Sequence, residues 1–373
     1  MPHVNKQMIS FFLTTKCNLR CIYCYNSKER QRKTEQTLNF DFAKVGIDYF
    51  FKYNSSRHIR FYGPGEPTQK FTLLKQVTEY ARSLADSNVT TEVQTNGVFG
   101  SEVRDWFSGN VNVIWFSFDG PPDIQDFNRP VGELKKPSSV IIEKNVRYLT
   151  EHCKDNNVVG VRVTMSDKNI KRQIEMINYF SKLGVKYIWT DPLFPSVDEC
   201  PFCEDPDKQK EYSFDMDGYI DEFIPAYHYA KNIGIFYNTF LMANFDGESS
   251  YNCRACTPTP HLTPDGYISA CDLVTFGANA HHMQPFIIGE WDRGNNTLKF
   301  YDDKVSNLQN RKVENIAHCK ECNASHHCGG YCLGEVLNES GSLLGQKPKT
   351  CAAIKRLARE IGFSYEPYPF FHP

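Results

Sequence analysis

Three cysteines lie within eight residues near the start of the chain, in the segment TTKCNLRCIYCYN at 14–26. Thiolates are ligands of zinc and of iron–sulfur clusters, but a tetrahedral zinc site or an ordinary cubane takes four donors. Cys17, Cys21 and Cys24 supply only three. An iron left with an open position can bind a small molecule. The alternatives are a disulfide with a spare thiol, or three small buried hydrophobic side chains.

The composition narrows the class of protein. The N-terminal MPHVNKQMISFFLTT lacks the features of a signal peptide, and no apolar run approaches the ~18 residues needed to span a bilayer. These features predict a cytoplasmic protein, in which grouped cysteines are metal ligands or redox groups before they are disulfides. With 42 basic and 44 acidic residues and a net charge of −2, the chain is predicted to bind neither nucleic acid nor a membrane.

Elements that would position these cysteines alternate along the first half of the chain. Short apolar or β-branched runs predict strands at 8–14, 58–63, 90–96, 111–120, 158–165 and 185–191. Apolar residues at three- and four-residue spacing predict helices between them, for instance at 71–86, 139–153 and 169–184. This alternation predicts an α/β fold with a parallel sheet or barrel, whose ligands bind at the C-terminal ends of the strands. The three cysteines directly follow the first strand.

The alternation fades after about residue 195. We expect a parallel α/β domain at 1–195, a bridging insertion and helix at 196–249, and a loop-like, cysteine-rich domain at 250–373. The segment 214–234 is predicted to be a helix. The aromatic, Pro-rich tail at 364–373 is predicted to pack as an irregular strap.

The Cys-x3-Cys-x2-Cys spacing, with Tyr23 before the third cysteine, resembles the signature of the radical S-adenosylmethionine (SAM) enzymes. The resemblance implies a partial (β/α)6 barrel in which the three thiolates hold a [4Fe-4S] cluster, with SAM chelating its fourth iron and Tyr23 near the cofactor. In that family, reductive cleavage of SAM gives a 5′-deoxyadenosyl radical that abstracts a hydrogen atom.

A second motif, FYGPGEPT, follows the second predicted strand, where the family carries Gly-Gly-Glu-Pro. Gly65 and Glu66 match, whereas Pro64 replaces the first glycine. Backbone carbonyls at such a turn are suitable acceptors for the SAM ammonium. An ordinary Pro-Gly turn is the alternative.

Two further strand-end segments, QTNG at 94–97 and SFDGPPDIQDFNR at 117–129, also resemble motifs of the family. By position, Ser117 is expected to reach the SAM ribose or carboxylate. Arg129 or Arg162 is expected to pair with the carboxylate. Local hydrogen bonding is the alternative role for each of them.

Seven cysteines in the last third of the chain are spaced as in the SPASM domain, with Gly266 between the first two: Cys256, Cys271, Cys319, Cys322, Cys328, Cys332 and Cys351. SPASM relatives bind two auxiliary [4Fe-4S] clusters, which need eight thiolates. Cys253 can supply the eighth. The resemblance implies one cluster on Cys253, Cys256, Cys271 and Cys332, and another on Cys319, Cys322, Cys328 and Cys351. A zinc site that includes His326 and His327 is the alternative.

The other three cysteines are harder to assign. Cys153 ends an amphipathic helix and is predicted to be buried. Cys200 and Cys203 lie in ECPFCED. A solvent-facing thiol pair is the simpler interpretation there, and a role in substrate contact or thiol exchange is the alternative.

The resemblance implies an oxidoreductase that uses three [4Fe-4S] clusters and SAM. SPASM relatives mostly modify peptides or proteins, and we expect a thioether or carbon–carbon crosslink in a ribosomally made peptide. Formylglycine formation, as in anaerobic sulfatase maturases, is an alternative, and so is oxidation of a small molecule. By similarity to those maturases, Asp272 is expected to act as the general base, and a turn cap is its alternative role.

The expected partners are a peptide or protein substrate and a reductant such as flavodoxin or ferredoxin. Only 16 residues precede Cys17, so a leader peptide would have to bind elsewhere on the chain or to a separate leader-binding protein. An iron–sulfur or zinc protein that serves as a scaffold or electron carrier is the alternative from a different class.

Overall fold

The structure is a computed structural model of the 373-residue chain. It describes residues 8–24, 26, 34–85, 88–132, 135–193, 214–278 and 281–369. The strands of these residues are β1 Met8–Phe12, β2 His58–Tyr62, β3 Thr90–Thr95, β4 Val113–Ser117, β5 Val158–Met165, β6 Tyr187–Pro192, β7 Phe236–Thr239, β8 His261–Leu262, β9 Tyr267–Ser269, β10 Ile287–Asp292 and β11 Thr297–Phe300. The α-helices are α1 Phe40–Tyr53, α2 Phe71–Ala85, α3 Ser101–Asn110, α4 Pro122–Asn128, α5 Ser139–His152, α6 Gln173–Lys182, α7 Met216–Asn232, α8 Asp302–Gln309, α9 Ser325–Cys328, α10 Leu333–Ser340 and α11 Pro348–Glu360.

The chain divides into two compact units. The mixed-sheet unit takes its residues from the segments 1–15, 34–90 and 241–373, and the parallel-sheet unit takes its residues from 16–33 and 91–240. The loop with the first three cysteines therefore belongs to the parallel-sheet unit, and the eight C-terminal cysteines belong to the mixed-sheet unit. The domain boundaries expected from the sequence stay a prediction.

In the mixed-sheet unit the strand order is β2-β1-β8-β9-β10-β11. β1 pairs in parallel with both β2 and β8, and all five of its residues are buried, as is usual for a parallel strand covered on both faces. α1 begins where the Asn39 side chain accepts a hydrogen bond from the backbone N–H of Asp41 at 2.7 Å. Its buried face includes Gly46, where the side chain of Leu262 on β8 lies too close for any Cβ.

In the parallel-sheet unit the strands run in the order β3-β4-β5-β6-β7, all parallel. Among the described residues of this unit, the helices α3 to α7 lie between β3 and β7 in the sequence. Most strand positions are buried, but half-buried polar residues recur toward the C-terminal ends of the strands: Gln94, Ser117, Arg162, Thr164 and Asp191. These positions form a polar patch toward the C-terminal ends of the strands.

All six predicted strands are confirmed, with ends that differ by up to three residues, and the predicted helices correspond to α2, α5, α6 and α7. The α/β class with parallel strands, typical of a radical SAM partial barrel, is confirmed. β7, the strands β8 to β11 and the helices after residue 300 were not predicted, so the region from residue 250 is less loop-like than expected. The described part of the tail contains neither helix nor strand, and the Ser364 N–H donates to the Phe245 carbonyl at 2.8 Å. No helix of the described residues is long and apolar enough to cross a membrane.

Candidate active site and cluster-binding cysteines

Hydrogen bonds within the parallel-sheet unit hold the loop that carries Cys17, Cys21 and Cys24. Asn18 donates from its amide to the Val98 carbonyl at 2.7 Å, just beyond β3. The backbone N–H groups of Arg20 and Ile22 donate to the carbonyls of Pro130 and Asn128 at 2.8 and 3.0 Å. The three thiols are half-buried and form no disulfide.

Hydrogen-bond donors lie near the sulfur atoms of Cys17 and Cys21. The Leu19 backbone N–H lies 3.5 Å from the Cys17 sulfur, and the Asn96 amide nitrogen lies 3.8 Å from it. The Arg129 guanidinium approaches the Cys21 sulfur to 3.9 Å. Donors and a positive charge stabilise a thiolate over a thiol. These contacts favour the thiolate form of Cys17 and Cys21, which is the form that binds a metal.

Tyr23 belongs to a buried hydrogen-bonded group. Its hydroxyl donates to the Asp119 carboxylate, and the Arg129 guanidinium lies 5.1 Å from its ring centroid. Burial raises the pKa of Tyr23 well above its ordinary value. Arg129 also pairs with Asp119, Nε to Oδ2 at 3.1 Å. Burial alone would lower the pKa of Arg129, but the neighbouring Asp119 raises it well above its ordinary value. The Tyr23 hydroxyl is thus protonated and engaged, and its predicted contact with SAM stays a prediction.

The polar patch of the parallel sheet is centred on an ion pair. Arg162 on β5 binds Asp191 on β6 through Nε at 3.0 Å and Nη2 at 2.8 Å, and donates to Gln94 on β3 at 3.1 Å. The side chains of Arg162 and Asp191 are 16% and 14% exposed. Burial raises the pKa of Asp191 despite the neighbouring guanidinium. Ser117 lies beside Arg162 in the strand register. The sequence prediction included Ser117 and Arg162, and Gln94 lay in the strand-end segment QTNG without an assigned role. It missed Asp191, whose only sequence signal is a polar residue near the end of an apolar strand.

The turn after β2 is stabilised by the side chain of Glu66, one of its own residues. The Glu66 carboxylate accepts hydrogen bonds from the Thr68 backbone N–H at 3.0 Å and from the Thr68 hydroxyl at 2.8 Å, and Glu66 is buried. Gly63 has φ +148°, and a Cβ there would meet Phe12, so a side chain at this position would be strained. Gly65 is half-buried in the same turn. Glu66 therefore shapes the turn, and binding of SAM by the turn stays a prediction.

The eight C-terminal thiols fall into two electrostatic groups of four. Burial and then the negative charges of Cys332 and Cys253 raise the pKa of Cys271, and burial and then Cys253 raise that of Cys256. Burial, and then the charges of Cys351 and Cys319, raise the pKa of Cys328 to about 12. Burial raises the pKa of Cys319 to about 11, and Cys351 and Cys322 contribute smaller increases. The first group is Cys253, Cys256, Cys271 and Cys332, and the second is Cys319, Cys322, Cys328 and Cys351.

This grouping has the same membership as the two ligand sets that the resemblance implies, with Cys253 in the first group. Thiols with raised pKa values need a metal to become thiolates near neutral pH. Eight buried or half-buried thiols in two groups of four fit two [4Fe-4S] clusters in donor number and type. Ligation itself stays a prediction.

Among the described residues, no three His, Cys, Asp or Glu side chains are gathered closely enough to hold a single metal ion. A [4Fe-4S] cluster does not need its ligands gathered around one ion, because each of its four irons binds a separate thiolate. His327, named in the zinc alternative, is buried and stacks on Phe363 at 3.6 Å, and its Nδ1 lies 2.9 Å from the Gly247 carbonyl. His327 thus has a packing role.

Asp272 lies in a buried charged cluster. Its carboxylate contacts Arg60 at 2.6 Å, His261 at 3.1 Å and Arg254 at 3.7 Å. Burial alone would raise the pKa of Asp272, but these neighbours, Arg60 above all, hold it well below its usual range. Burial lowers the pKa of His261. The sequence missed Arg60, Arg254 and His261 as neighbours of Asp272, because they come from three separate segments.

The remaining cysteines are less informative. Cys153 is half-buried rather than buried, and burial raises its pKa to about 11. Cys200 and Cys203 lie outside the described residues. Their roles stay predictions.

Comparison with known proteins gives matches to the part of the chain that carries the Cys17 loop. Residues 11–180 match the radical SAM superfamily. An uncharacterised protein of Methanocaldococcus jannaschii is 30% identical over 189 residues, which cover 50% of this chain and 63% of that protein. The chain thus spans less than two thirds of that relative. TigE, a radical SAM cyclopropyl synthase of Paramaledivibacter caminithermalis, is 21% identical over 95% of this chain and 73% of its own length.

Two solved SPASM-type radical SAM enzymes share the fold. The sulfatase maturase anSMEcpe, solved with bound AdoMet and the Cp18Cys peptide, has a TM-score of 0.73 at 15% identity, over 95% of this chain and 96% of that one. Streptococcus suis SuiB, solved bound to its precursor peptide SuiA, has a TM-score of 0.63 at 14% identity, over 92% of this chain and 75% of that one. Radical SAM enzymes use a [4Fe-4S] cluster and SAM, and SPASM-type members carry additional clusters. The Cys17 loop, its position after the first strand and the superfamily match at 11–180 together indicate a radical SAM domain in this part of the chain.

Proposed function

We propose that this chain is a peptide or protein maturase that oxidises a residue of its substrate, with a new carbon–carbon or thioether bond in a ribosomally made peptide as the first candidate product. One observation carries the proposal: the chain combines a three-thiol loop with two separate groups of four thiols. Three thiolates leave an iron open for SAM, whereas four thiolates saturate a cluster and suit it to electron transfer.

When bound, the first cluster and SAM supply the 5′-deoxyadenosyl radical. The chain contributes Cys17, Cys21 and Cys24 as ligands, and Asn96 and Arg129 as neighbours that favour the thiolate form of two of them. In the parallel-sheet unit the proposed SAM contacts are Tyr23, Ser117 and Arg162. For the turn at Gly65 and Glu66, the family resemblance alone implies a SAM contact through the backbone. Arg162 already pairs with Asp191, so we propose that a SAM carboxylate would bind at the edge of that pair.

The two groups of four thiols have a role in the electron balance. Hydrogen-atom abstraction removes one proton and one electron from the substrate and leaves a carbon radical. Closing a new bond then requires loss of a second electron and a second proton, so the product has two hydrogens fewer. The eight C-terminal cysteines would hold two auxiliary clusters, and these would supply an acceptor for that electron.

Peptide substrates are supported by what similar proteins bind. The anSMEcpe and SuiB structures hold a peptide and a precursor peptide, and TigE is a cyclopropyl synthase. Closing a cyclopropane ring from an unactivated side chain forms a carbon–carbon bond and also removes two hydrogens. That chemistry favours the carbon–carbon product for this chain.

Formylglycine formation is the second candidate, and Asp272 directly after Cys271 favours it, because the proposed base would lie beside a proposed cluster ligand. Oxidation of a small molecule and a non-catalytic iron–sulfur or zinc protein are the remaining alternatives. The reductant, such as flavodoxin or ferredoxin, and a leader-binding partner are proposals of the same kind.

The first test is a metal count on protein purified without oxygen. Three [4Fe-4S] clusters correspond to about twelve irons and twelve sulfides per chain. Reduced protein given SAM should release 5′-deoxyadenosine. Zinc without sulfide would contradict the enzymatic proposal, and SAM cleavage with only about four irons would contradict the auxiliary clusters alone.

We expect Asp272→Asn to lower product formation about 100-fold or more if Asp272 is the base, a usual scale for general-base catalysis. SAM cleavage and deuterium transfer from labelled substrate into 5′-deoxyadenosine should continue. Product and 5′-deoxyadenosine are both measured by mass spectrometry. Turnover within a few-fold of the parent would remove Asp272 from the mechanism.

A structural effect of the same substitution must be separated from the catalytic one. Asparagine leaves Arg60 and Arg254 buried without this carboxylate, which we expect to lower the free energy of unfolding by about 3 kcal/mol. Asp272→Glu keeps the charge and is the control. If the Glu variant regains stability but not product, the position of the carboxylate is what catalysis requires.

A further inference from the structure

Arg311 is a buried cation in the mixed-sheet unit. It is 1% exposed. Its guanidinium donates through Nη1 to the Gly329 carbonyl at 2.7 Å, through Nη2 to the Gly330 carbonyl at 2.5 Å and through Nε to the Leu343 carbonyl at 3.1 Å. These acceptors are neutral, and no Asp or Glu of the described residues forms an ion pair with Arg311.

The two glycines lie where the proposed ligand sets meet. Gly329 and Gly330 stand between Cys328, of the second set, and Cys332, of the first. Gly330 has φ +80°, and a Cβ there would lie 2.2 Å from the Arg311 Nη1. The absence of a side chain therefore lets the guanidinium approach this turn. Arg311 thus touches the short segment that joins a ligand of one cluster to a ligand of the other.

The charge of Arg311 acts on both thiol groups. Burial raises the pKa of Cys256 and of Cys319, and Arg311 offsets part of that rise in each. The same offset applies to Cys253 and Cys328. Arg311 therefore acts on Cys253 and Cys256 of the first group and on Cys319 and Cys328 of the second.

An arginine is always charged, and a buried charge without a counter-ion is costly. The groups around Arg311 that become anionic are the cysteines, once they bind metal as thiolates. A cubane held by four thiolates carries net negative charge, which increases when it accepts an electron. Cluster potentials depend on such charges and on hydrogen bonding near the cluster.

We propose that Arg311 is the shared counter-cation of the two auxiliary clusters and that it raises the reduction potential of both. The inference rests on the proposed ligand sets. A nearby positive charge stabilises the reduced, more negative cluster, which makes each cluster a better acceptor for the substrate electron. Arg311 is a positioning and electrostatic residue, since it touches carbonyls rather than substrate.

The test is a redox titration followed by EPR, on full-length protein in which Cys17, Cys21 and Cys24 are Ala, so that the signals come from the auxiliary clusters. In this background, Arg311→Gln removes the charge and keeps a donor, and Arg311→Lys keeps the charge. Lys312→Gln is the matched control, because it removes a positive charge one residue away on the exposed surface. We expect Arg311→Gln to shift both one-electron equilibria at least tenfold toward the oxidised form, which is 59 mV. The Lys variant and the control should remain near the parent.

Unchanged potentials in a fully loaded Arg311→Gln protein would overturn the proposal, and a shift in only one cluster would overturn the shared role. An iron count that lacks the auxiliary clusters in the parent would instead contradict the proposed function. If Arg311→Gln does not fold, Arg311→Lys decides the matter. It should fold, hold both clusters and keep their potentials, and loss of both clusters in Arg311→Lys would show that hydrogen-bond geometry, not charge, is what matters.

A second readout needs no redox measurement. In cluster-free protein the Arg311 charge lacks its proposed counter-ions, so Arg311→Gln should cost less stability there than in loaded protein. Denaturant unfolding of both forms measures the difference. Equal losses in the two forms would mean that Arg311 only clamps the turn, and would overturn the proposal.

Discussion

Protein in which Cys17, Cys21 and Cys24 are all replaced by Ala should form no 5′-deoxyadenosine from SAM and should lose about four irons per chain. The reason is that these thiols are the proposed ligands of the cluster that cleaves SAM. The auxiliary clusters should remain, because the proposed ligands of those clusters belong to the other compact unit. Iron analysis and chromatographic detection of 5′-deoxyadenosine measure the two effects.

Cys153→Ala is the matched control for this variant. Cys153 is half-buried in the same parallel-sheet unit and belongs to neither a proposed ligand set nor a disulfide. Its replacement should leave iron content and SAM cleavage near the parent values. Continued 5′-deoxyadenosine formation in the triple variant would refute the assignment of the radical-generating site.

Cys271→Ala and Cys322→Ala, one from each C-terminal thiol group, should separate SAM cleavage from product formation. Each variant keeps the Cys17 loop but loses a ligand of a proposed electron acceptor. The substrate radical then cannot pass its electron on, so 5′-deoxyadenosine should accumulate without oxidised product. Both are measured in the same reaction by mass spectrometry, with Cys153→Ala again as the control.

Full product yield in these two variants would reduce the auxiliary clusters to structural elements. Their loss would then matter only through stability, because metal binding contributes to folding. A thermal unfolding measurement on each variant distinguishes this outcome from failed electron transfer, since a purely structural cluster lowers stability and leaves the ratio of product to 5′-deoxyadenosine unchanged.

Much of the fold is predictable because local patterns agree with the tertiary structure. The strand at 158–165 is a run of β-branched and apolar residues, and it forms β5 over the same residues. The prediction of a loop-like domain after residue 250 overlooked its helices, because the cysteines and glycines of this region suggest loops. α11 lies there with Ala353, Ile354 and Leu357 buried at helical spacing, so periodicity was a usable signal.

The site is only partly predictable, because its contacts join residues distant in sequence. Spacing indicates which cysteines are ligands and how many clusters they can saturate. It does not indicate that Arg60 would reach Asp272, 212 residues away, or that Arg162 would pair with Asp191. Arg311 is less visible still, because it carries no motif and its acceptors are backbone carbonyls.

The short link between Cys328 and Cys332 has a consequence for how the protein is loaded with iron and sulfide. Only three residues separate these two cysteines, which are assigned to different clusters. When the first cluster binds, the flanking glycine turn is fixed in place, and a much smaller part of the chain must then be ordered to complete the second ligand set. Filling of the two sites is therefore expected to be cooperative, so that a partially reconstituted sample is a mixture of chains with both auxiliary clusters and chains with neither.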